Sequence, residues 1–181
     1  MTQNISRVVV LVGMMGSGKT TVGKKLANIL NLKNFDSDNE IEKSAGMTIS
    51  EIFDKYGEQY FREVERKIIE KIFAMNSNFV LSVGGGAFSN TKTKNLILKN
   101  SLSIWLDADF HNLCTRLLKN KKSRPLLNKE NWRLQLRDIL NKRLIDYHRA
   151  DLKIKVDNLN VNEVVEKIKN SVNNHLKHVN Q

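Results

Sequence analysis

The chain has 181 residues, 40% of them apolar, with one cysteine and a formal charge of +11. That length makes one domain, residues 1–181, able to bury a core without staples, and the lone Cys114 excludes an internal disulfide framework and reads as a small buried side chain. No stretch approaches the run of about 20 apolar residues that spans a bilayer, and the polar start MTQNIS has no apolar leader core, so the expected setting is the cytoplasm with no membrane partner.

The first element is the run Val8-Val9-Val10-Leu11-Val12, continuous and rich in β-branched residues, as expected of a parallel strand buried on both faces. It stops at Gly13. From there Gly13-Met14-Met15-Gly16-Ser17-Gly18-Lys19-Thr20 has the spacing of a phosphate-binding loop, and a helical pattern with Val22, Leu26, Ile29 and Leu30 on one face follows. Glycines at three positions let the backbone turn its amides inward around a polyphosphate. Lys19 brings a mobile charge for the β and γ phosphates, and the Thr20 hydroxyl is a ligand for Mg²⁺.

A short second strand ends at Phe35, and Asp36 and Asp38 follow before Asn39-Glu40-Ile41-Glu42 opens a helix. If the chain stays extended there, the two carboxylates project into one cleft, one toward a metal's water shell and one toward the proton of a substrate hydroxyl; plain helix capping is the alternative. Thr48 and Glu51 have capping-box spacing at the next helix start. After Gly57 a longer helix runs to Phe73, with Tyr60, Phe61, Val64, Ile68, Ile69 and Ile72 read as core. Arg62 lies among them with acids on both sides, and its neighbours alone make it a salt-bridged surface arginine.

The third run, 79–83, enters Gly84-Gly85-Gly86. Three glycines at a strand end expose consecutive amides to a carboxylate or a hydroxyl-rich small molecule, a flexible turn being the alternative. No acid closes this strand, which leaves Asp36 as the nearest metal support. The fourth run, 102–106, precedes Asp107-Ala108-Asp109, which caps a helix bearing Leu113, Arg116 and Leu117. Residues 119–130, KNKKSRPLLNKE, are a basic segment hinged at the only proline, Pro125, and read as a lid carrying Arg124 to a transferring phosphoryl group. Trp132, Leu136, Ile139 and Leu140 mark a helix face, with Arg143 read on spacing as a solvated residue of the same helix. His148 has no metal-ligand partner at suitable spacing and reads as structural. The fifth run, 152–156, and a helix with Val161, Val164, Val165, Ile168 and Val172 inward complete the chain.

Apolar runs alternating with helices imply an α/β fold: a three-layer α/β/α arrangement on a five-stranded parallel sheet, with ligands at the carboxyl ends of the strands. Residues 91–181 carry 19 basic and 9 acidic side chains, and 11 of those basic residues fall between Arg116 and Arg149. Without interleaved aromatics, and beside a phosphate loop, this excess suits nucleotide phosphates and an acidic substrate rather than nucleic acid, a generally solvated face being the other alternative.

Taken in order, GMMGSGKTT, FDSDNEIE, GMTISEIF with GEQYFREVE, SVGGGAF, and SRPLL with a downstream NKR make nearly the whole chain resemble the shikimate kinases, phosphate-loop proteins near the nucleoside monophosphate kinases. The resemblance implies a P-loop kinase fold with a mobile lid at about 119–130 and a substrate-binding helical part at about 38–66. It also implies transfer of the ATP γ-phosphate to the 3-hydroxyl of shikimate, giving shikimate 3-phosphate and ADP, a step of chorismate and aromatic amino acid biosynthesis. On this resemblance Gly16, Ser17, Gly18, Lys19, Thr20 and Thr21 bind phosphates, Thr20 coordinates Mg²⁺, and Asp36 reaches the metal through water. Asp38 orients the acceptor hydroxyls and joins Lys19 and Arg124 in catalysis. Arg62, Gly84, Gly85 and Arg143 hold the substrate, Arg124 bridges it to the γ-phosphate, and Arg116 and the loop 157–160 face adenine. The expected state is a monomer. A gluconate-type or nucleoside monophosphate kinase and a nucleotide-binding module without turnover are the rival readings. The triple glycine with two separated arginines fits a small carboxylated polyol better than a base, leaving a panel of acceptors to decide among the kinases, and Asp38 beside Lys19 and Thr20 weighs against the binding module.

Overall fold

In a computed structural model of the protein, residues 8–75, 77–119, 125–127 and 130–179 are described, the last four as backbone only. Five strands, β1 (Val8–Val12), β2 (Lys33–Asp36), β3 (Phe79–Ser82), β4 (Leu102–Asp107) and β5 (Leu152–Lys155), form one parallel sheet in the order β2-β3-β1-β4-β5. The helices are α1 (Lys19–Leu30), α2 (Ser37–Ala45), α3 (Ile49–Phe73), α4 (Thr91–Asn100), α5 (Phe110–Lys119), α6 (Trp132–Tyr147) and α7 (Val161–Val179), with a 3₁₀ turn, Ala87–Ser89, after β3.

The strand order explains the composition of the strands. β1, β3 and β4 are interior and buried almost throughout, and their sequences are VVVLV, FVLS and LSIWLD. β2 and β5 are the edges, mostly uncovered, and read KNFD and LKIK. Right-handed crossovers place α1 and α7 together on one face and α3 and α4 on the other. β1 hands the chain to the α1 face, while β3 and β4 on either side hand it to the opposite one. The crevice this opens at the carboxyl end of β1 is where a ligand settles in such sheets.

Two local expectations are corrected. The chain does not stay extended after β2: the Asp36 carboxylate accepts from the amides of Asp38 (3.1 Å) and Asn39 (3.3 Å), so helix α2 begins at Ser37 and Asp38 lies in its first turn. Tyr60 is not core but 47% exposed and stacked on Tyr56, because it falls on the solvent side of α3 while Phe61 turns inward. Gly57, at φ 80° and ψ 173°, breaks α3 where the sequence separates two helices, and the Thr48 and Glu51 capping box starts the first of them. α2 and the first part of α3 enclose a small core of their own around Ile41, Ile52 and Phe61. Cys114 is buried, as are Val164, Val165, Ile168 and Val172 on the inner face of α7. Among the described residues no helix is long and apolar enough to cross a membrane.

Candidate active site

The loop after β1 is wrapped by backbone. Gly16 and Gly18 take φ of 82° and 96°, a left-handed conformation that lets successive amides face one concavity, and Gly18 is also the N-cap of α1. Lys19 folds back over this loop, its Nζ donating to the carbonyls of Gly13 (2.8 Å) and Met14 (2.9 Å). The Thr20 hydroxyl donates to Asp36 Oδ2 at 2.7 Å. Asp36 therefore does two things at once: one oxygen caps α2, as the capping reading has it, and the other meets Thr20. Arg116, from α5, straps the outside of the loop, its guanidinium 3.4 Å from the carbonyls of Gly16, Ser17 and Val156. It thereby joins the phosphate loop to the segment after β5, where Asp157 accepts from the Asp109 amide (3.0 Å) and Asn112 Nδ2 (2.8 Å). Gly16, Gly18, Lys19, Thr20, Thr21, Asp36 and Arg116 line a cavity of about 370 Å³. Ser17 is buried beside it, its hydroxyl without a hydrogen-bond partner among the described residues.

A second cavity, of about 410 Å³, adjoins the first, and Asp38, Asn39, Gly84, Gly85 and Met15 line both. Its wall comes from α2 (Asp38), α3 (Arg62 and Glu65), the turn after β3 and α6 (Arg143), with Ile49, Phe53 and Phe61 as the apolar side. Arg62 does make the expected ion pairs, to Glu58 (3.1 Å) and Glu65 (2.7 Å), yet its side chain is only 18% exposed and faces the cavity. Arg143 is not solvated: it is 8% exposed, with Nη1 3.8 Å from Met14 Sδ. The correction has a simple cause. α6 packs behind the glycine turn, which turns position 143 inward.

The turn 84–86 explains its own composition. A Cβ on Gly84 would strike Glu65 Oε1 and Asp38 Oδ1, one on Gly86 would strike the Arg62 guanidinium, and one on Gly85 would press on Arg143 Nη1 and the Met15 amide at 3.2 Å each. These glycines are required by close approach, since charged groups occupy the space their side chains would fill. The turn is not loose either: Gly84 N donates to Ser37 Oγ (2.9 Å), and the Gly84 carbonyl accepts from Ala87 N (3.0 Å).

Electrostatics follow from burial. Burial alone would pull the Arg62 guanidinium down, but Glu65 and Glu58 outweigh it and hold its pKa above the ordinary value. Burial pushes the Glu65 carboxyl above the usual carboxylate range, with Arg62 and Arg143 pulling it only part of the way back. Glu65 Oε2 accepts from Arg62, whereas Oε1 is buried with no hydrogen-bond partner among the described residues. Sequence reasoning missed Glu65, although an acid at an inward position of an otherwise apolar helix stripe was the signal for it. It also missed Ser37.

Asp38, Arg62, Gly84, Gly85 and Arg143 thus share one cavity, and Asp38, Gly84 and Gly85 also border the one containing Lys19. Arg124 lies outside the described residues, as do 120–123, 128 and 129 of the expected lid. Of that segment, Pro125 and Leu126 line the second cavity.

Comparison with known proteins places the chain among relatives of one family. The family model described as shikimate kinase matches residues 15–173. A shikimate kinase of Zymomonas mobilis is 44% identical over 82% of this chain and 83% of its own, and one of Bartonella henselae is 39% identical over 94% and 80%. Among solved structures, shikimate kinase from Acinetobacter baumannii in complex with shikimate superposes with a TM-score of 0.87 at 34% identity, over 91% of this chain and 92% of that one. That of Aquifex aeolicus has a TM-score of 0.80 at 33% identity, over 92% and 96%.

Proposed function

The chain belongs to the shikimate kinase family of ATP-dependent phosphotransferases, and from that premise we propose that it moves the γ-phosphate of ATP to the 3-hydroxyl of shikimate in the paired cavities. The observation that carries this reading is the pairing itself. A backbone-lined phosphate cavity and a cavity flanked by two guanidiniums meet at Asp38, Gly84 and Gly85. A volume of about 410 Å³ suits a small molecule, and paired arginines suit its carboxylate through charge-assisted hydrogen bonds.

Lys19, the loop amides and the α1 N-terminus hold the triphosphate, with Arg116 and the loop 157–160 toward the base. Arg62 and Arg143 hold the acceptor carboxylate, and Glu65 holds Arg62. Asp38 accepts the hydrogen bond of the attacking hydroxyl and takes its proton as the new oxygen–phosphorus bond forms and the bond to the β,γ-bridging oxygen breaks. Arg124 is assigned to the charge on the transferring group from its place in the sequence. The pair of Thr20 hydroxyl and Asp36 carboxylate fits Mg²⁺, which takes hard oxygen donors and needs only one or two from protein when phosphates and water supply the rest. Bound there, Mg²⁺ would supply neutralisation of the phosphate oxygens. The rest is positioning, since phosphoryl transfer asks little covalent work of the protein. We further infer a cytoplasmic monomer acting on small molecules alone, without nucleic acid.

The deciding experiment is a coupled assay of ADP release with shikimate, gluconate and nucleoside monophosphates as acceptors. Release that depends on shikimate and yields shikimate 3-phosphate is expected. Equal turnover with gluconate or a nucleoside monophosphate would replace the reading by the corresponding kinase, and nucleotide binding without any acceptor-dependent release would make the chain a binding module.

A further inference from the structure

Tyr147 ends α6 one helical turn beyond Arg143 and is wholly buried. Its hydroxyl donates to the Gly85 carbonyl at 2.5 Å and lies 3.9 Å from Met14 Sδ. Its ring packs on Trp105 of β4, centroids 5.8 Å apart, which fixes where that hydroxyl can reach. The glycine turn needs such an external hold. Glycine has the largest backbone freedom of any residue, and here side chains cannot restrain the turn because Glu65, Asp38, Arg143 and Arg62 fill the positions they would take. The turn is pinned instead by hydrogen bonds at Gly84 and by the Tyr147 phenol at Gly85. A peptide group is planar, so the direction of the Gly85 carbonyl also sets that of the Gly86 N–H.

We propose that Tyr147 is a positioning residue for the phosphoryl acceptor: its hydroxyl orients the Gly85 peptide and holds the Arg143 turn of α6 against both the glycine turn and the phosphate loop at Met14. The assignment of the acceptor rests on the function proposed above, while the mechanical claim does not. Burial pushes the phenol up to about 12, so it remains a donor across the working pH range.

Tyr147→Phe removes the hydroxyl and keeps the ring against Trp105. The shikimate KM is expected to rise about tenfold, as for a lost buried hydrogen bond, while the ATP KM stays within about twofold. Leu136→Val, a buried change on the same helix with no hydrogen bond at stake, should lower the melting temperature and leave both KM values unchanged. An unchanged shikimate KM in Tyr147→Phe, or a parallel rise in both KM values, overturns the proposal. If the wild type shows no shikimate-dependent turnover, the functional reading falls and amide hydrogen exchange judges the rest. Faster exchange of the Ala87 amide in Tyr147→Phe then supports the positioning role, and unchanged exchange overturns it.

Discussion

The phosphate cavity and the acceptor cavity share a wall but are assembled in different ways. The first is centred on one contiguous segment, residues 15–21, which lines it with Met15, Gly16, Gly18, Lys19, Thr20 and Thr21. The second takes side chains from positions 38, 62, 65 and 143, carried by three helices and set around a bare glycine turn. A backbone site tolerates little movement but depends on few distant residues. A side-chain site depends on how several elements pack, so mutations there should separate acceptor binding from nucleotide binding.

The largest expected effect is in the contiguous region. Lys19→Ala should lower turnover about 100- to 1000-fold by removing a charge aimed at the transferring group. Steady-state rates with melting curves check this: a large loss of stability with little loss of rate would make the lysine a brace for Gly13 and Met14. Next comes Gly86→Ala, which drives a methyl into the Arg62 guanidinium. Displacing an orienting group in this way should cost about 100-fold in kcat/KM for shikimate with nucleotide affinity retained, as titration with each ligand would reveal. Arg143→Ala should weaken shikimate about 10- to 100-fold, the range for a lost charge-assisted bond, with ATP binding nearly unchanged. Equal loss of both ligands would erase the distinction between the two regions.

The smallest effect concerns pH. The folded protein raises the Glu65 carboxyl, so the stability contributed by its proton is fully present below the ordinary carboxylate range and is lost as pH rises through the raised value. Glu65→Gln lacks this titration. The melting temperature of the wild type should therefore decline relative to the variant as pH rises from that range toward neutrality. A difference that is flat with pH, or of opposite slope, would mean that Arg62 fully compensates the burial.

Much of this molecule was legible without coordinates because the signals were local. An unbroken Val8-Val9-Val10-Leu11-Val12 run can be stable only between two covered faces, loop glycines and Lys19 lie within eight positions, and the Thr48 and Glu51 cap spans a single turn. Residue types alone could not say which way Arg143, Tyr60, Glu65 or Tyr147 face. Arg143 looked solvated and is sealed behind the glycine turn, while Tyr60 looked like core and stands in solvent, because helix packing decides the direction of each side chain. Whatever short-range hydrogen bonds and steric rules dictate is written along the chain. The acceptor cavity, in contrast, exists only after burial of the sheet brings α2, α3 and α6 to one end of β1 and β3, and that arrangement is a property of the whole fold.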